Sequence, residues 1–282
     1  MRSGAFCHSK DCDHALLHAA RELCGEHHEL RRQPLRGRTA DAGDALIYYE
    51  TYGEGAPFVV LHGGVGSPYE MGTCIDRLAE SRRVIVPTAR GHGRSGFGTE
   101  PYTFERKVRD VLAVLREEGV ERAPVLGFSD GAYTALALAG EAPGAVEAVA
   151  AIGAGESVPG LRRLVIDYGA LEALDPAYFA QQRRIMPEPD RWAGWMKETY
   201  EAFWNRTPVS KDFFMRVQCP TLLMAGELDG NAPLDSVIAA YRMIPHADLS
   251  LIAGAGHPCF LSDFPAVWAQ IQGFFARGGI TL

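Results

Sequence analysis

From residue 45 onward, short apolar runs alternate with longer stretches in which apolar positions recur every three or four residues, the pattern of strands followed by helices. Residues 45–52 (ALIYYETY) are rich in β-forming types, Gly53-Glu54-Gly55 predicts a turn, and residues 57–61 (PFVVL) predict a second strand, so the two read as an entry hairpin. A helical stretch near 69–80 precedes a strand over 83–86. Behind a Thr103 cap, Phe104, Val108, Val111, Leu112 and Leu115 share one helix face, and Gly119 ends it. Further buried strands are predicted at 123–128, 145–152, 221–226 and 248–252. Residues 134–139 form a helix stopped by Gly140 and Pro143. This alternation implies an α/β fold, a mostly parallel sheet covered by helices on both faces.

Two stretches break the alternation. Residues 155–217 turn helical, charged and aromatic, with Tyr178, Phe179, Trp192, Trp195, Tyr200, Phe203 and Trp204. Placed between two strands of the sheet, they are expected to form a helical lid over its carboxyl edge, inserted into a core of residues 41–154 and 218–282. Most of these aromatics should pack the lid onto the body; Trp192, Trp195, Phe203 and Trp204 are the candidates for contact with a substrate. Residues 1–40 read as an N-terminal extension, with a linker from Arg31 to Gly43. Cys7, Cys12, Cys24 and the histidines at 8, 14, 18, 27 and 28 lie in this extension. A zinc site there would need paired ligand spacings that the stretch lacks, so no metal is expected.

Composition narrows the class. At 282 residues and 47% hydrophobic, the chain suits one large core. A net charge of −7 without a long basic block argues against nucleic acid or an anionic membrane as partner. No stretch approaches the ~20 apolar residues of a membrane span. The N-terminus has no signal-peptide core, and the six cysteines are scattered, so a cytoplasmic location is the expectation. The composition does not set the oligomeric state.

The candidate chemistry centres on Gly127-Phe128-Ser129-Asp130-Gly131, where the strand at 123–128 meets the next helix. A G-x-S-x-G sequence in this context lifts its serine clear of the sheet on a sharp turn that needs small neighbours. A serine hydroxyl is a weak nucleophile and needs a base oriented by an acid. Asp229 follows the strand at 221–226, and His257 follows the strand at 248–252. Glu156 is the alternative acid. His62 and His92 sit in glycine loops and are weaker candidates for the base; Ser67 and Ser95 lack the strand and the flanking glycines.

The order Ser129, Asp229, His257 and the D-x-x-x-P spacing from Asp229 to Pro233 resemble the α/β-hydrolase fold family from about residue 45 to the end. His62-Gly63-Gly64-Val65-Gly66-Ser67 is similar to that family's oxyanion loop, and Arg90-Gly91-His92-Gly93-Arg94-Ser95 to another of its signatures. Aspartate after the serine is similar to valacyclovir-hydrolase-like and haloperoxidase-like members. The resemblance implies Ser129, His257 and Asp229 as the catalytic triad, the N–H groups of Gly64 and Asp130 as the oxyanion hole, and histidines 62 and 92 as loop braces. The Asp130 carboxylate would either cap its helix or recognise a substrate amine. One departure is Thr88, where the family commonly has an aspartate two residues before the arginine, so the Arg90 loop is expected to be held differently.

The expected activity is cofactor-free hydrolysis of a small ester, lactone or amide through an acyl-enzyme. A perhydrolase or haloperoxidase-like activity, a carbon–carbon bond hydrolase and a non-enzymatic small-molecule receptor remain alternatives on the same residues.

Overall fold

The computed structural model describes residues 36–161 and 163–282. The possible zinc ligands among residues 1–35 therefore lie outside the described residues. Strands β1 (Arg36–Asp41), β2 (Leu46–Tyr52), β3 (Pro57–Leu61), β4 (Arg83–Pro87), β5 (Ala123–Phe128), β6 (Val146–Ile152), β7 (Thr221–Gly226) and β8 (Ala247–Ile252) form one sheet. Their order is β1-β2-β4-β3-β5-β6-β7-β8. β2 is antiparallel to both β1 and β4, and every pairing from β4 to β8 is parallel.

The helices are α1 (Gly72–Leu78), α2 (Phe104–Glu117), α3 (Asp130–Glu141), α4 (Tyr168–Leu174), α5 (Pro176–Ile185), α6 (Trp192–Trp195), α7 (Ala202–Arg206), α8 (Lys211–Phe214), α9 (Leu234–Met243), α10 (Cys259–Ser262) and α11 (Phe264–Arg277). Successive strand side chains point to opposite faces. Val59 and Val125 accordingly join an apolar cluster with α2, α3 and α9, while Val60 and Leu126 join another with α1 and α11. Burial on both faces is why these strands read as unbroken apolar runs. Thr103 caps α2 as expected, its Oγ1 accepting the Arg106 N–H at 3.2 Å.

Two expectations are corrected at the sheet's first edge. Residues 36–41, assigned to the extension and its linker, are strand β1, paired with β2 from Arg36 opposite Thr51 to Asp41 opposite Leu46. An edge strand is held by backbone hydrogen bonds, so RGRTAD needs no apolar alternation; Arg38 also ion-pairs with Glu117 and Glu118 of the neighbouring helix end. β2 and β3 are not a hairpin, because β4 lies between them. The hairpin is β1–β2, closed by the Ala42 N–H to Ala45 O bond of 3.0 Å.

Between β6 and β7 the chain carries α4 to α8. A π-helical turn, Met196–Glu201, joins α6 to α7. Side chains of this segment reach three loops at strand carboxyl ends. Tyr178 Oη donates to Val65 O at 2.9 Å, Trp195 packs edge-on to His92 at 5.8 Å, and Trp204 Nε1 donates to Asp130 Oδ1 at 3.1 Å. Among the described residues no helix is long and apolar enough to cross a membrane.

Candidate active site

Ser129 sits between β5 and α3 at φ 50°, ψ −118°, a conformation that non-glycine residues rarely adopt and that marks stored strain at functional turns. Its flanking glycines are required by close approach: a Cβ on Gly127 would lie 2.4 Å from Gly131 O, and one on Gly131 would lie 2.3 Å from Leu61 O. The Ser129 N–H is anchored on Ile152 O at 2.7 Å.

The structure brings Ser129, His257 and Asp229 into one hydrogen-bonded line. Ser129 Oγ donates to His257 Nε2 at 2.9 Å, and His257 Nδ1 donates to Asp229 Oδ2 at 2.8 Å. The other oxygen, Asp229 Oδ1, accepts the N–H groups of Asn231 and Ala232, both at 2.8 Å, which fixes the carboxylate plane. Asp229 is buried and His257 is 9% exposed, so the pair is shielded while Ser129 stays partly open. Gly153, at φ 71°, supplies room for the imidazole: a Cβ there would lie 2.7 Å from His257 Cε1. The alternative acid, Glu156, instead accepts a hydrogen bond from Ser210.

The loops after β3 and β4 are tied to each other beside this line. His62 Nε2 accepts the Ala89 N–H at 2.9 Å, and His92 Nε2 accepts the Val65 N–H at 3.0 Å. Each Nδ1 then donates to a carbonyl, His62 to Gly63 O and His92 to Arg90 O. Burial pulls His62 down to about 3 and also lowers His92, so both rings are neutral braces. Ser95 is structural as well: its Oγ donates to Thr88 O and accepts the Tyr48 N–H.

The carboxylate that Thr88 lacks comes from elsewhere in the chain. Arg90 makes a bidentate pair with Asp110 of α2 at 2.9 and 2.8 Å, a second with Asp44 at 3.1 and 3.0 Å, and donates to Phe97 O.

The Asp130 carboxylate has partners beyond the two roles considered for it. Its Oδ1 takes Lys107 Nζ at 2.7 Å and Trp204 Nε1 at 3.1 Å, with Asp130 only 2% exposed. Burial lowers the Lys107 ammonium, and Asp130 beside it acts in the opposite direction.

The four candidate lid contacts are all buried. Trp192 stacks on Phe179 at 5.0 Å and meets Tyr168 edge-on, both within the helical segment. Trp195 packs on Phe97 and Tyr102, Phe203 on Tyr102 and Phe104, and Trp204 on Tyr133. Tyr200, on the π turn, covers Gly64 instead: a Cβ on Gly64 would lie 1.7 Å from its hydroxyl. Glu70 is a further group near the oxyanion loop. It accepts the Gly63 N–H through Oε1, its Oε2 is buried without a partner, and burial pushes its carboxyl up to about 8. Among the described residues no group of three or more His, Cys, Asp or Glu is placed to hold a metal.

The sequence model of the alpha/beta hydrolase family matches residues 58–271, from β3 into α11. The chain belongs to the alpha/beta hydrolase family. This hydrolase is 30% identical over 155 residues to RutD of Azorhizobium caulinodans, a candidate carbamate hydrolase; the match spans 54% of this chain and 58% of RutD. It is 26% identical over 266 residues to 2-hydroxymuconate semialdehyde hydrolase of Pseudomonas putida, covering 86% of this chain and 91% of that one. The meta-cleavage product hydrolase of Pseudomonas fluorescens IP01 shares its fold at TM-score 0.72 and 20% identity, over 86% of this hydrolase and 98% of that chain.

Proposed function

We propose that this hydrolase cleaves a small ester, lactone or amide through an acyl-enzyme on Ser129. The hydrogen-bonded line from Ser129 Oγ through His257 to Asp229 carries the reading. His257 Nε2 takes the hydroxyl proton as Oγ attacks the carbonyl carbon. The imidazolium so formed is held by Asp229 through Nδ1–H, then returns the proton to the leaving group. Water, deprotonated by the same nitrogen, attacks the acyl carbon and releases the acid and Ser129. The N–H groups of Asp130 and Gly64 hold the tetrahedral oxyanion; donors of this kind contribute about 3–4 kcal/mol each to barrier lowering. The segment over residues 155–217 acts as the lid, with Trp195, Phe203 and Trp204 as its packing base and Tyr178 and Tyr200 against the oxyanion loop.

A buried aromatic lid suits a compact or aromatic acyl group. The test is kcat/KM across acetyl, butyryl, octanoyl, palmitoyl and phenylacetyl esters, with short or aromatic acyl groups expected to lead; a palmitoyl optimum would overturn the pocket reading. Similarity to a 2-hydroxymuconate semialdehyde hydrolase over most of the chain supports a second reading, carbon–carbon bond hydrolysis on the same residues. A dienol substrate of that class, placed in the same panel, separates the two.

A further inference from the structure

Lys107 takes no part in the proton path from Ser129 to Asp229, yet its ammonium is buried beside the residue that follows the nucleophile. Its Nζ is 2.7 Å from Asp130 Oδ1, within rings of Tyr102, Phe104, Phe203 and Trp204 whose centroids lie 5.3 to 5.6 Å away. Trp204 Nε1 donates to the same carboxylate oxygen, so Asp130 fastens the helical segment to the start of α3.

That fastening carries an electrostatic penalty. The oxyanion is expected to form at the Asp130 N–H, within a few bonds of a buried carboxylate of the same sign. A like charge ~6 Å from a forming alkoxide, at an effective dielectric of ~20, slows the step by on the order of a hundred-fold. We propose that Lys107 is a positioning residue for the reaction: its ammonium cancels the Asp130 charge, so one side chain can both tie down the lid and adjoin the oxyanion hole. The inference rests on the serine-hydrolase reading and adds an electrostatic requirement to it.

Among the described residues the other cation lining the same cavity, Arg90, is already paired with Asp44 and Asp110. Asp130 is faced by Lys107 from α2, by His62 and His92 from the loops after β3 and β4, by Glu70 beyond the first of these loops, and by Tyr102 ahead of α2. Both histidines are kept neutral by burial, and Glu70 and Tyr102 can add only negative charge. Without Lys107, Asp130 would be a lone buried carboxylate whose charge opposes the forming oxyanion.

The experiment compares wild type, Lys107→Met, Lys107→Gln and the double variant K107M/D130N in kcat and KM at pH 8 on a short aryl ester. Wild type is also treated with a fluorophosphonate and its adduct mapped. Both single variants should lose on the order of a hundred-fold in kcat near pH 8 with KM within about threefold of wild type. Adding D130N to K107M should restore kcat by at least about tenfold. An unchanged kcat in folded single variants, or a double variant as impaired as K107M, would overturn the inference. If K107M does not fold, Lys107→Gln decides by the same criteria, because its amide can still donate to Asp130 without the charge. An active wild type with no adduct on Ser129 would instead overturn the underlying serine mechanism.

Discussion

His62 and His92 hold each other's loops: each ring accepts a backbone N–H from the loop that carries the other, with ring centroids 5.4 Å apart. Neither bond survives protonation of the accepting nitrogen. Burial holds His62 near 3, whereas the unfolded chain binds this proton near 6.5, so below pH 6.5 the unfolded state binds more protons and stability falls. Between pH 6.5 and 5 the loss from His62 alone should be about 2 kcal/mol. Urea midpoints across this range check it, and His62→Gln, which cannot titrate, should flatten the slope.

Glu70 works in the opposite direction. Its buried carboxyl is raised to about 8 from 4.5, so between these values the folded state keeps a proton that the unfolded state has lost. Its stabilising contribution is therefore complete below pH 4.5 and is lost as pH rises through 8. Glu70→Gln keeps an oxygen for the Gly63 N–H and should raise the melting temperature more at pH 8 than at pH 5. Equal shifts at both pH values would contradict the buried-acid account.

Tyr200 makes a side chain at position 64 costly. The Cβ introduced by Gly64→Ala would fall 1.7 Å from the Tyr200 hydroxyl and 2.6 Å from Cζ, so the loop or the π turn must shift. The variant should lose on the order of a hundred-fold in kcat, the cost of one misplaced oxyanion donor. Tyr200→Phe in the same chain should recover part of it. Recovery of none would mean that the clash is not the cause.

Asp130 Oδ1 already takes Lys107 Nζ and Trp204 Nε1, which makes this carboxylate a poor partner for an amine-bearing acyl group. The kcat/KM for a valyl ester and its isovaleryl counterpart should therefore agree within about tenfold, since a hydrogen-bonding site built for the amine would discriminate far more strongly. A preference for the valyl ester of a hundred-fold or more would contradict this.

The parallel strands were legible because burial on both faces makes them continuous apolar runs, as in Leu222-Leu223-Met224. The loop positions of Ser129, Asp229 and His257 were legible for the same reason, since each follows directly on such a run. β1 was not, because backbone pairing at a sheet edge imposes no hydrophobic period on Arg36–Asp41. Nor could spacing reveal the partners of Arg90: Asp44 and Asp110 lie 46 and 20 residues away, and Asp110 is one of several charges on an amphipathic helix. Lys107, on that same helix, reads as a solvated lysine until Asp130 and four rings enclose it. Among the aromatics of residues 155–217, composition distinguishes neither face of a helix, so it cannot separate Trp192, which stacks on Phe179, from Tyr200, which sits against Gly64.

The central claim is that Ser129 Oγ, activated by His257, forms the covalent intermediate. Its most direct measurement is intact-mass analysis after fluorophosphonate treatment, followed by peptide mapping, on wild type and on Ser129→Ala. The account predicts a single adduct on Ser129, absent in the variant, with ester turnover falling on the order of a million-fold while the fold is retained. An adduct on another residue, or ester turnover that survives Ser129→Ala, would contradict it.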